Sequence, residues 1–175
     1  MSKKPQDIRY LSLEERAQPR IKFVGVRVEP LEGGAFSVRV ELEQRAGRTL
    51  IGSAEGSGGL SAQLESGARA AVDGLLRLTG AERDAVRLLE LKTVKVFNTP
   101  AVAVSLEADV EGGVQHMVGF CVMESESPVR AAALAVLNGA NRFLGGVVVS
   151  GGRFQWRAPR FRTESEGRGP SGPAP

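Results

Sequence analysis

Strict alternation over Phe36-Ser37-Val38-Arg39-Val40-Glu41-Leu42-Glu43 sends apolar side chains to one face and polar side chains to the other, the signature of a half-buried antiparallel strand. Val24, Val26 and Val28 form a similar run just before it, and Glu32-Gly33-Gly34 supplies the hairpin connection. After Arg45-Ala46-Gly47, the segment Arg48 to Ala54 predicts a third strand, in which Gly52 marks a bulge or a close neighbour. The period then changes. Leu64, Ala68, Ala71, Val72, Leu75 and Leu78 recur at helical spacing, with Ser61 as the predicted N-cap and Gly80 as the stop.

The same order returns about 66–68 residues later. Val94-Lys95-Val96 answers Val26-Arg27-Val28. Val102, Val104, Leu106, Ala108 and Val110 alternate as a second strand that turns at Glu111-Gly112-Gly113. Gln115 to Cys121 then matches Arg48 to Ala54, with Gly119 falling on Gly52. Ser127 and Pro128 open a helix carrying Val129, Ala132, Ala133, Val136, Ala140 and Phe143, and Gly145-Gly146 ends it. The expected fold is α+β: two tandem βββα units with antiparallel sheets, one helix each, related by a pseudo-twofold axis. Their boundaries are about 22–80 and 86–146 within a domain spanning 22–149. A basic arm, 1–21, precedes the domain, and an Arg/aromatic then Pro/Gly-rich tail, 150–175, follows it. A single unit of this size has a small core, so pairing of the units and a homodimer are expected.

A strand of the form Gly-Arg-x-x-x-Gly leading to an alanine-rich helix resembles the C-terminal regulatory domain of alpha-isopropylmalate synthase and citramalate synthase. The residues that carry the resemblance are Gly47-Arg48-Thr49-Leu50-Ile51-Gly52, Val118-Gly119-Phe120 and the helix end Val136-Leu137-Asn138-Gly139-Ala140-Asn141-Arg142-Phe143-Leu144. It covers about 22–146. The resemblance implies a domain that binds an end-product amino acid at strand-to-helix loops and regulates a separate catalytic barrel. That barrel has no room in this chain. The second such loop, Met123 to Pro128, departs from the family's glycine-and-aspartate pattern.

Composition and charge narrow the chemistry. The chain has one Cys and one His, which exclude an internal disulfide and a multi-histidine metal site. The net charge of +3 resides at the ends. Residues 1–22 carry six basic and three acidic side chains, 150–175 carry five and two, and the middle is net −3. A basic groove within the fold is therefore not expected. The start shows no apolar leader, and the apolar stretch at 131–149 is broken by Asn138, Asn141 and Arg142, so a cytoplasmic protein without a membrane segment is expected.

Two segments carry candidate chemistry. Gly56, Ser57, Gly58, Gly59 and Ser61 run into the N-terminus of the first helix, where free amides and the helix dipole favour a small carboxylate or a phosphate; the resemblance implies a branched-chain amino acid as that carboxylate. A plain flexible connection is the alternative. The equivalent loop carries Glu124 and Glu126 and repels an anion. In the tail, Arg153, Phe154, Trp156, Arg157, Arg160, Phe161 and Arg162 interleave charge with rings, which suits phosphates and stacked bases or docking on a protein partner; packing on the chain's own domain is the third option. His116 and Cys121 fall on opposite faces of one strand, and Glu65, Arg69 and Asp73 form solvated helix pairs, so no catalytic pair and no cofactor is predicted. The function expected is a non-catalytic sensing or assembly module, with a nucleic-acid accessory protein as the alternative.

Overall fold

A computed structural model describes residues 20–44, 47–123 and 127–157. The first unit comprises β1 (Ile21–Pro30), β2 (Ala35–Gln44), β3 (Thr49–Ser57) and α1 (Leu60–Thr79). The second comprises β4 (Val86–Val96), β5 (Thr99–Val110), β6 (Gly113–Val122) and α2 (Pro128–Leu144), and a hairpin, β7 (Val147–Ser150) and β8 (Arg153–Trp156), follows it. The architecture is α+β, with the order βββα occurring twice. β1-β2-β3 form one antiparallel sheet; β4-β5-β6 form the body of the other.

Alternation puts the predicted residues inside. Val38, Val40 and Leu42 on β2, and Val102, Val104 and Leu106 on β5, are all buried against the helices. The register ties the two units together more closely than the sequence pattern did. Val40 lies opposite Gly52, and Val104 lies opposite Gly119. Val26 pairs Val40 and Leu91 pairs Val104, so the counterpart of Val26 is Leu91, not Val94. A bulge at Val24 and another at Leu89 fall at matching places and shift the phase of each first strand. Because the bulges match, they cancel in the comparison; the misalignment comes from unequal connections, since matching residues are 65 apart on the first strands, 64 on the second and 67 on the third, which one fixed repeat period does not follow.

Each helix lies on its own sheet, packs on the other helix, and reaches the other unit's first strand. Asn141 of α2 makes that reach specific. Its Oδ1 accepts from the Ile21 amide at 2.9 Å, and its Nδ2 donates to the Ile21 carbonyl at 3.0 Å, so one side chain replaces a missing neighbouring strand. Arg130, at the other end of α2, stands over the Phe23 ring at 5.9 Å. Gly67 on α1 lets Val129 of α2 approach so closely that a Cβ there would stand 2.7 Å from the Val129 carbonyl oxygen. The two units share one continuous apolar core.

The fold also extends past residue 149. β7 and β8 form a hairpin through Gly151 and Gly152, both with positive φ, and Val110 of β5 pairs Phe154 of β8. Phe154 is wholly buried, edge-on to Phe143 at 5.1 Å. The predicted boundary at 149 therefore cuts through packed structure.

Candidate functional site

β3 delivers the glycine-rich loop to the start of α1. Gly56, on the inner face of β3, lies under Phe36 and Ser66; a Cβ there would meet the Ser66 hydroxyl at 2.4 Å. Ser57 closes the strand opposite Ala35. Gly58 has φ +111°, a conformation that side-chain-bearing residues rarely adopt, and Gly59 is the N-cap. Ser61 is not the cap: α1 begins at Leu60, and Ser61 lies in its exposed first turn. No side chain caps this end.

The second helix solves the same problem differently. Ser127 precedes Pro128, and its hydroxyl accepts from the Arg130 amide at 3.3 Å. The two helix starts thus differ in their caps. Glu124 and Glu126, on which the expected asymmetry in anion binding rests, lie outside the described residues.

Other concavities have different chemistry. One of about 540 Å³ is lined by Glu82, Asp84, Asp109 and Glu111, with Arg153 on its rim. Its charge opposes an anion. Nearby, Arg87 bridges Asp109 and Glu107, and its guanidinium is held above its ordinary range by hydrogen bonds to Asp109 and then Glu107. Among the described residues no group of His, Cys, Asp and Glu has the arrangement of a metal site.

The tail residues divide. Phe154 is a core residue and is unavailable as a docking anchor. Trp156 stays half exposed while its ring meets Phe143 at 6.0 Å, and Arg157 donates from Nε to the Val147 carbonyl at 3.2 Å. Arg153 is exposed, 4.0 Å from Glu82. Arg160, Phe161 and Arg162 lie outside the described residues. The run that suggested one interaction strip is therefore divided at its start between core, hairpin and solvent.

His116 and Cys121 do point to opposite faces of β6, and His116 stands 3.7 Å from Glu107. Glu65 pairs Arg69 at 2.6 Å, but Asp73 pairs Arg77 rather than Arg69. Asp73 has a second task that helical spacing alone does not show: it accepts from the Ser53 amide on β3 at 3.0 Å.

Compared with protein-family models and with curated proteins, the sequence has no significant match.

Proposed function

We propose that the chain is a non-catalytic small-molecule-sensing or assembly module that takes a small carboxylate, such as a branched-chain amino acid, at the start of α1. It acts as a homodimer or on a separate enzyme or protein partner, in the manner of the synthase regulatory domain it resembles. One observation carries the reading: α1 opens on Gly59 with no side-chain cap, whereas α2 supplies Ser127 for the same task. Amides at the start of a helix need acceptors, and a ligand carboxylate is one. Gly58 and Gly59 leave the approach clear of side chains.

Gly59→Asp tests this directly, because φ is −86° and a Cβ there meets nothing within 4 Å. The new carboxylate caps the helix from within, so the variant gains roughly a few tenths of a kcal/mol in stability and loses its response to carboxylates. A thermal-shift panel of amino acids and keto acids on the parent chain shows the response itself: ligand at about a hundred times its Kd adds about 2.7 kcal/mol. No shift with any carboxylate at millimolar concentration overturns the ligand reading and leaves assembly alone.

A further inference from the structure

The outer faces of the two sheets are built from matching positions; some keep their character (Ile51 and Val118, Arg27 and Lys92), but several others change from polar to apolar. Aligned through Gly52 and Gly119, the first sheet shows Arg39, Ser53 and Glu55 where the second shows Ala103, Phe120 and Val122. Glu29, which pairs Arg39 at 3.7 Å, is matched by Val94. Val114 and Val118 extend the second sheet's apolar stripe, with Val118 70% and Phe120 38% exposed. The same face carries His116 between Val114 and Val118, and the Lys92–Glu90 pair (2.6 Å) beside Ala103, so the exposed apolar residues form a patch centred on Val118, Phe120 and Val122 with a polar border, the arrangement of a contact surface.

The approach to this surface is from the face, because the β6 edge is partly plugged. Asn138 donates to the Phe120 carbonyl at 2.9 Å, and the Gln115 side chain donates to the His116 carbonyl at 2.8 Å. An added strand would have to displace both.

The chain itself enters the fold beside this stripe. Arg20 lines a concavity of about 660 Å³ together with Val118, Gly119, Phe120, Asn138 and Arg142. The preceding segment concentrates its large apolar side chains in Ile8, Tyr10, Leu11 and Leu13, and residues 14–19 join that cluster to Arg20. Six extended residues reach about 20 Å, whereas β6 to β4 is only about 10 Å at ordinary strand spacing. We propose that the outer face of the second sheet is the docking surface for the chain's own residues 8–13. A tethered occupant is present at an effective concentration of about a millimolar, so it outcompetes a second copy at micromolar protein. The inference does not depend on the ligand reading above.

Hydroxyl-radical footprinting of the full chain, read by mass spectrometry at Phe120, tests it. Phe97, 97% exposed at the turn between β4 and β5, is the internal reference. Replacing Ile8, Tyr10, Leu11 and Leu13 together by Ser should raise Phe120 oxidation about fivefold and leave Phe97 unchanged, and protection in the parent should survive about a hundredfold dilution. Equal Phe120 rates in parent and variant overturn the proposal. Protection that fades on dilution overturns it too, and assigns the face to a second copy.

Discussion

Gly52 and Gly119 show what a single missing side chain does here. A Cβ on Gly52 would stand 2.0 Å from the Ala70 carbonyl oxygen and 2.2 Å from the Gly74 amide nitrogen; on Gly119 it would stand 1.8 Å from the Ala135 carbonyl oxygen. The obstacles are backbone atoms, so no rotamer change relieves them, and the helix must lift off the strand. Gly52→Ala and Gly119→Ala should each destabilise by about 3 kcal/mol, measured as a fall in the denaturant midpoint. Gly25→Ala, with open space around it and no positive φ, should stay within about 0.5 kcal/mol. Beside each glycine, the helix carries a polar residue that meets the outer strand: Asp73 accepts from the Ser53 amide, while Asn138 donates to the Phe120 carbonyl. The chemistry is reversed at matching places. Asn138→Asp sets an acceptor against an acceptor at an exposed site and should cost about 0.5–1.5 kcal/mol. Asp73→Asn keeps an acceptor for Ser53 and loses only a solvent-exposed pair with Arg77, so its cost should be under about 1 kcal/mol. Equal losses in the two variants would show that these bonds do not set the strand–helix contact.

At the scale of elements, the C-terminal hairpin is where sequence and structure part most. Arg153-Phe154-Gln155-Trp156 alternates polar and apolar residues with period two, which is also the pattern of a short strand, and Gly151-Gly152 is a hairpin turn signal. Read beside the Pro- and Gly-rich residues that follow, the same alternation looked like an interaction tail. Only the packing partner decides between the two, and Phe143 is 11 residues away in sequence but edge-on to Phe154 in space. The central strands were legible because each has a buried and a solvated face. The bulges at Val24 and Leu89 were not, since an inserted residue changes phase without changing composition. The loop at Gly56 to Gly59 was legible as a helix approach, but its capping was not, because Ser61 satisfies the cap rule in sequence while Gly59 satisfies it in space. A chain ending at 149 should therefore be markedly less stable than one ending at 157. Phe154→Ala should lose about 3–5 kcal/mol. If thermal unfolding finds the 149 and 157 truncations equally stable, β7 and β8 contribute nothing to the core.

At the scale of the whole molecule, the small core of a single unit predicts that the two units pair, and one apolar core does run through both of them. α1 buries residues on more than one side: Leu64, Ala68 and Leu75 are inside, and Gly67 meets Val129 of the other helix. Asn141 supplies both hydrogen-bonding groups that Ile21 needs at the start of β1, and it belongs to the second unit. Removing that unit leaves Ile21 without its partner and exposes the alanine-rich contact between the helices. A lone unit of about 60 residues already buries a smaller fraction of its surface than a whole domain does. The full chain should accordingly unfold in a single calorimetric transition, with van't Hoff and calorimetric enthalpies in agreement. The fragment 20–82 should show no cooperative transition as a monomer, and Asn141→Leu in the full chain should lower stability by about 1–3 kcal/mol without splitting the transition. Two resolved transitions in the full chain, or a cooperatively folded monomeric fragment, would mean that each sheet and its helix form an independent core, and that the contact between α1 and α2 joins two domains instead of building one.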